Sequence, residues 1–200
     1  MKKSLTVGCV IMASGLSRRF GTNKLLADFC GQPMLCRAFA ATATPGIAAR
    51  IVVTRSEEVQ ALCRAQGVPV LLHSLPGRND TVRLGLSALL EQLPELSGCM
   101  FLPGDQPLLR RESVGMLVDF YREHPEHIAA LGHDGVRGNP CLFPARLFPE
   151  LLALQGDHGG NQVIRRHEED LLLWEVPAPE LTDVDTPQVL AQLRRDMAEE

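Results

Sequence analysis

Two hundred residues, 45% of them hydrophobic and 22% charged, suffice for one globular unit with a large core and exclude a disordered chain. A formal net charge of −4 argues against a dedicated nucleic-acid or membrane-surface binder, which would carry a basic excess. Cys9, Cys30, Cys36, Cys63, Cys99 and Cys141 form no CxxC pair and several lie in apolar runs, so reduced, buried thiols are expected rather than disulfides or zinc.

Two N-terminal lysines lead into a β-like run without a small-residue cleavage site, and no apolar run reaches membrane-spanning length. A cytoplasmic chain is expected. Leu5 to Ala13 is β-branched and apolar, as in a strand covered on both faces. The next stretch, Ser14-Gly15-Leu16-Ser17-Arg18-Arg19-Phe20-Gly21-Thr22-Asn23-Lys24, carries glycines, hydroxyls and cations, and no acid occurs before Asp28. Bare N–H groups and positive charge at the end of a buried strand suit a triphosphate. Pro33 is placed at the first position of a helix that shares Leu35, Cys36, Phe39 and Ala43 on one face and ends at Pro45-Gly46.

Ile51 to Thr54 reads as a second strand, a helix runs from Glu57 to near Gly67, and Val68 to Leu72 reads as a third strand. Pro76 to Thr81 reads as loop and helix start, followed by a helical stripe of Val82, Leu86, Leu89, Leu90 and Leu93. Cys99 to Leu102 is a short buried strand ended by Pro103-Gly104-Asp105. Val114, Leu117, Val118 and Tyr121 mark another helix. Alternating strands and helices predict an α/β fold, a doubly wound, mostly parallel sheet with helices on both faces and ligands at the carboxyl ends of its strands.

After residue 125 the pattern loosens. Ile128 to Gly132 and Cys141 to Phe143 flank a turn at Asp134 to Gly138. A helix is expected over 145–155, a strand over Leu171 to Val176, and a last helix opened by Thr186-Pro187. The expected organisation is one domain over 1–200, with a nucleotide-binding part over about 1–125 and an acceptor-side part over about 126–200.

Generic templates fail at the first loop. Lys24 lies three residues after Gly21 and is followed by Leu25, so this is no Walker A motif, and no GxGxxG is present. Asp105 follows a buried strand directly, where a carboxylate makes a good Mg²⁺ ligand alongside phosphate oxygens; a helix-capping role is the alternative. Asp183 and Asp185 precede a capped helix. They read either as partners of its dipole or, if Asp183 approaches Asp105, as a shared magnesium site.

Taken together, these stretches resemble the molybdenum cofactor nucleotidyltransferases. Ala13 to Lys24 is similar to their A-A-G-x-S-x-R-M-G-x-x-K signature, Gly104-Asp105-Gln106-Pro107 to their G-D-x-P, and Asp183-Val184-Asp185-Thr186-Pro187 to their D-[IV]-D-T-P. Arg78 to Leu86 resembles the stretch that meets the base in related cytidylyltransferases. The resemblance implies a Rossmann-like, nucleotide-diphospho-sugar-transferase-like architecture. It implies Mg²⁺-dependent attack of a molybdopterin phosphate on the α-phosphorus of CTP or GTP, with pyrophosphate leaving.

On that match Lys24, Arg19 and Asp105 are the catalytic residues. Ala13, Ser14, Gly15, Ser17, Arg19, Lys24, Arg78, Asp80, Thr81 and Gly104 bind the nucleotide, and Asp105 and Asp183 hold the metal. A molybdenum hydroxylase is the implied recipient of the product; nucleic acid and membrane are not expected partners.

The loop's Ala-Ser-Gly and the Asn23 before Lys24 favour CTP over GTP. On the acceptor side the family's G-H-P appears as Gly138-Asn139-Pro140, and its G-D-x-G-A-R appears as Gly156 to Asn161 without the arginine. Asn139 and His158 are the acceptor-side candidates, with His133 in a neighbouring loop. A guanylyltransferase or a transferase for another phosphorylated metabolite keeps the same chemistry. A non-catalytic carrier that inserts molybdenum cofactor would bind without releasing pyrophosphate, and Lys24 and Asp105 argue against it.

Overall fold

The protein is described by a computed structural model covering residues 5–17, 19–156 and 159–199. Strand β1 (Thr6–Ala13) lies inside a seven-stranded sheet. Its successive side chains point to opposite faces. Val7, Cys9, Ile11 and Ala13 enter one core, and Val10 enters the other. This two-sided burial is why the strand reads as an unbroken apolar run.

A small hairpin, β2 (Asp28–Phe29) and β3 (Gln32–Pro33), follows the first loop. Pro33 therefore belongs to a strand rather than opening a helix, and helix α1 (Leu35–Ala41) starts after it. Cys30 and Gly31, with φ of 54° and 86°, turn that hairpin. Next come β4 (Ala49–Thr54), α2 (Glu57–Ala65), β5 (Val70–Leu72), α3 (Arg78–Gln92), β6 (Leu96–Pro103) and α4 (Arg111–Glu123). The second half adds β7 (Ile128–His133), β8 (Val136–Pro144), α5 (Phe148–Leu152), α6 (Asn161–Arg166), β9 (Leu171–Glu175) and α7 (Pro187–Glu199).

The sheet order is β5-β4-β1-β6-β8-β7-β9. β8 pairs antiparallel with both neighbours, and the remaining pairs are parallel. From β1 the chain steps outward through β4 to β5, then returns as β6 on the other side of β1. That reversal opens a crevice at the carboxyl ends of β1 and β6, the position where such sheets take ligands.

Residues 128–175 extend the same sheet. The turn between β7 and β8 is tighter than expected, with Asp134 and Gly135 both at positive φ as a two-residue hairpin demands. The helix expected over 145–155 is a 3-10 turn (Ala145–Leu147) followed by the short α5, which tolerates Pro149 only because it falls in the first turn. Helix α6 was not apparent in the apolar pattern; its buried side chains are only Val163 and Ile164.

One core face holds Leu35, Val59, Val114, Leu117 and Leu190 against the sheet, and the other holds Val82, Leu86, Leu89, Leu151 and Val163. Helix α3 lies especially close to β1, because a Cβ on Gly85 would stand 2.5 Å from Val10 Cγ1. All six cysteines are free thiols; Cys30, in the hairpin, is exposed, against expectation. No helix among the described residues is long and apolar enough to cross a membrane.

Helix α3 begins earlier than its apolar stripe does, at Arg78, and Asp80 explains why. Its Oδ2 accepts the Gly77 amide at 2.9 Å and its Oδ1 accepts Arg83 Nη2 at 2.8 Å. Burial opposes the charge, but these two donors outweigh it and hold the carboxyl below its ordinary range. Asp80→Ala is expected to lose about 1 kcal/mol of stability, as for other capping side chains, measured by urea unfolding at neutral pH. A carboxyl with a lowered folded pKa stabilises above its unfolded pKa. The difference between Asp80→Ala and the parent should therefore shrink as pH falls through and below the ordinary carboxylate range.

Candidate active site

A cavity of about 960 Å³ opens at the carboxyl edge of the sheet. It is lined by the loop after β1, by Arg55 after β4, by Arg78 and Thr81 of α3, and by Asp105 after β6. Asp183 and Asp185 before α7 and residues of β8 and α6 complete it.

The loop after β1 is shaped by its own side chains. Ser17 and Gly21 adopt left-handed φ of 47° and 79°. The Ser17 hydroxyl accepts the Lys24 amide at 3.2 Å, and Asn23 Oδ1 accepts the Leu25 amide at 3.2 Å. Leu25, 4% exposed, anchors the turn in the core. Lys24 is thus fixed at both ends of its backbone, with its side chain aimed into the cavity.

Two carboxylates meet this lysine. Its Nζ donates to Asp105 Oδ2 at 2.5 Å and to Asp185 Oδ1 at 3.0 Å, and Arg19 Nη2 donates to Asp185 Oδ2 at 2.7 Å. Burial works against the ammonium charge, but Asp105 and Asp185 outweigh it and raise its pKa. The Lys24 hydrogen bond foremost, with Arg19 adding to it against the effect of burial, keeps Asp185 below the carboxylate range. The Asp105 carbonyl accepts the Val184 amide at 2.9 Å, which docks the late acidic loop on the β6 loop.

Among the described residues Asp183 has no ion-pair partner. Burial, then the Asp105 charge and then Asp185, push its carboxyl up, while a hydrogen bond from Gln106 and the charge of Lys24 oppose them. Gln106, 3% exposed, also donates to the Leu181 carbonyl at 3.3 Å, tying the two acidic loops together.

The donor set fits a hard divalent cation: oxygen ligands only, with one carboxylate left at raised pKa beside two others. Among the described residues no group of three or more His, Cys, Asp or Glu side chains is arranged to hold a metal alone. Such an ion would therefore complete its shell with phosphate oxygens and water, as Mg²⁺ does.

Of the other predicted positions, Ser14, Gly15, Ser17, Arg78, Thr81 and Asn139 line the cavity. Ala13, Asp80 and Gly104 stand behind it. The Ala13 carbonyl accepts Thr54 Oγ1 at 3.0 Å, and the Gly104 amide donates to the Met12 carbonyl at 3.1 Å, so both lock strand ends. His158 lies outside the described residues. His133 faces away, its Nδ1 2.9 Å from the Val176 carbonyl.

Arg55 belongs to none of the sequence motifs. Its Nε and Nη2 hold the Ser14 carbonyl at 2.9 and 2.7 Å, and its Nη1 reaches the Pro76 carbonyl at 3.3 Å. One guanidinium thus joins the β1 loop to the loop that precedes α3. The available signal was position, a basic residue directly after a buried parallel strand. Ser14 Oγ donates to the Val53 carbonyl at 3.1 Å and lies 2.9 Å from His73 Nε2. Burial, and then Arg55, lower the pKa of that imidazole.

A cationic loop after the first strand, facing carboxylates at the switch point of a mostly parallel sheet, defines the α/β nucleotidyltransferase fold. The chain belongs to the family described as the MobA-like NTP transferase domain, whose model matches residues 9–171. It is 33% identical over 112 residues to the 3-deoxy-manno-octulosonate cytidylyltransferase of Neisseria gonorrhoeae, covering 56% of this chain and 44% of that protein. The chain thus spans less than half the length of that curated relative. It is 24% identical over 211 residues to the purine catabolism protein PucB of Bacillus subtilis, covering 99% of this chain and 100% of PucB. The fold of Rv0371c from Mycobacterium tuberculosis superposes with a TM-score of 0.83 at 23% identity, over 96% of this chain and 99% of that one. Rv0371c has also been solved in complex with manganese (TM-score 0.75, 20% identity, over 95% of this chain and 98% of that one).

Proposed function

We propose that this chain is a Mg²⁺-dependent cytidylyltransferase that moves CMP from CTP to the phosphate of molybdopterin or its metal-bearing form. The new bond joins an acceptor phosphate oxygen to the α-phosphorus, and the bond to the pyrophosphate oxygen breaks. The observation that carries this reading is the pairing of Lys24 and Arg19 with Asp105 and Asp185, with Asp183 lining the same cavity.

An acceptor phosphate is already ionised, so no strong general base is required. Lys24 and Arg19 would exchange their carboxylate partners for triphosphate oxygens and stabilise charge on the leaving group. Ser14, Gly15 and Ser17 would line the phosphates, and Arg78 and Thr81 the nucleoside. Asp80, Ala13 and Gly104 would act by holding those groups in place. Mg²⁺ held by Asp105 and Asp183 would neutralise phosphate charge and align the reacting centre. The metal is supported by the donor chemistry and by the manganese complex of Rv0371c.

Residues 126–200 would form the acceptor side, with Asn139 lining it and His158 a further contact. The product would pass to a molybdenum hydroxylase in the cytoplasm. The relatives named as 3-deoxy-manno-octulosonate cytidylyltransferases favour CTP and supply a second reading, in which the acceptor is a sugar acid.

Pyrophosphate release should be measured with each of the four NTPs, Mg²⁺ and molybdopterin. Release with CTP is the expected result. Release with GTP alone would make the chain a guanylyltransferase. Release from CTP with the sugar acid but not with molybdopterin would move it to the second reading. Binding without release under any pairing would return it to a carrier.

A further inference from the structure

Among the described residues five cations line the cavity: Arg19, Lys24, Arg55, Arg78 and Arg165. Arg19 and Lys24 are paired with carboxylates and Arg55 with backbone carbonyls. Arg78 also has a partner. Arg165 has no hydrogen-bond or ion-pair partner among the described residues. Glu150, which α6 reaches through its last residues, is taken by Arg166 at 2.8 Å and by His167 at 2.6 Å.

Arg165 is held where it is by α6. Val163 and Ile164 are buried and fasten the helix to the core, and Asn161, one turn earlier, shares the face that carries Arg165. Asn161 Oδ1 accepts Arg137 Nη2 at 3.0 Å, and Arg137 Nη1 stands 3.4 Å from Cys141 Sγ. A second guanidinium therefore packs against the same wall.

Sheet order assigns this wall a side. β6, which delivers Asp105, lies between β1 with its phosphate loop and β8 with Asn139 and Cys141. In phosphoryl transfer the attacking and leaving oxygens stand roughly in line on opposite sides of phosphorus. With the leaving pyrophosphate gripped by the β1 loop, the nucleophile approaches from the β8 and α6 side. We propose that Arg165 is the acceptor-side anion-binding residue, taking an oxyanion of the incoming acceptor. This inference rests on the transferase reading above.

Two measurements test it. With the full chain and molybdopterin, Arg165→Ala should raise the acceptor KM about ten-fold, as expected for a lost charge-assisted contact, with the KM for CTP unchanged and Arg165→Lys recovering part of the effect. A rise in the CTP KM equal to the acceptor effect would assign Arg165 to the triphosphate and overturn the proposal. The second measurement does not need the acceptor to be known. Protein saturated with the α,β-methylene analogue of CTP and Mg²⁺ is titrated calorimetrically with inorganic phosphate. Wild type should bind, and Arg165→Ala should bind at least about five-fold more weakly. Equal binding by the two proteins, or none by wild type, would overturn the anion site. Failure of molybdopterin turnover in wild type with an Arg165-dependent phosphate response would overturn only the acceptor reading.

Discussion

Lys24→Ala is expected to lower kcat by roughly 10²–10³-fold, the effect of removing one donor aimed at developing charge. The unfolding midpoint should move far less. The carboxylates that Lys24 leaves behind line the cavity and can be solvated there, so the cost to the fold should stay near about 1 kcal/mol. Single-turnover kinetics with CTP and molybdopterin, run beside urea unfolding of the same sample, separates the two effects. Wild-type turnover in Lys24→Ala would remove the residue from the reaction. Collapse of the fold would make it a structural ion pair. Lys24→Arg should not restore the rate, because a planar fork cannot occupy the point between Asp105 and Asp185 that the ammonium holds at 2.5 and 3.0 Å.

Asp105→Asn should be comparably damaging, by about two orders of magnitude or more in kcat, while leaving the fold near wild type. The substitution keeps the side chain's shape. It also keeps the backbone carbonyl that accepts the Val184 amide at 2.9 Å, so the acidic loop stays docked. It removes the charge that pairs with Lys24 and one of the oxygens proposed above to hold the divalent ion. Added Mg²⁺ should therefore recover little activity. The checks are kcat against Mg²⁺ concentration and the urea midpoint. Wild-type kcat at saturating Mg²⁺ would show that Asp105 contributes shape rather than charge.

Much of the sheet was legible from residue order. β1, β4 and β6 announce themselves because a strand covered on both faces must be apolar throughout, and α3, α4 and α7 because one face alone is buried. The phosphate-type loop was legible because cations and N–H groups follow such a strand without any acid among them. Helix α6 was not, since two buried side chains do not make a periodic signal. The β2–β3 hairpin was hidden for a related reason: Pro33 is as compatible with the edge of a two-residue strand as with a helix start. Asp80 carries the same ambiguity in another form. A carboxylate at the start of a helix reads equally as ligand contact and as cap; the Gly77 amide bond makes it a cap, and Arg83 is its ion-pair partner.

The residues after β1 and β6 thus pointed by themselves to the sheet edge where the cavity opens, because strand ends at a parallel sheet's carboxyl edge are set by local pattern and connection rules. Only the tertiary structure decided how the charges are shared. Lys24 and Asp185 are 161 positions apart, Arg55 and Ser14 are 41 apart, and neither pairing leaves a trace in local sequence. Among three acids near one ammonium, the closest partners are chosen by how the loops dock, here through the Val184 amide and Gln106, and electrostatic attraction falls off with distance rather than with position in the chain. That is why Asp185 takes the lysine and Asp183 is left beside it at raised pKa, a division of roles that the two acids' spacing did not contain.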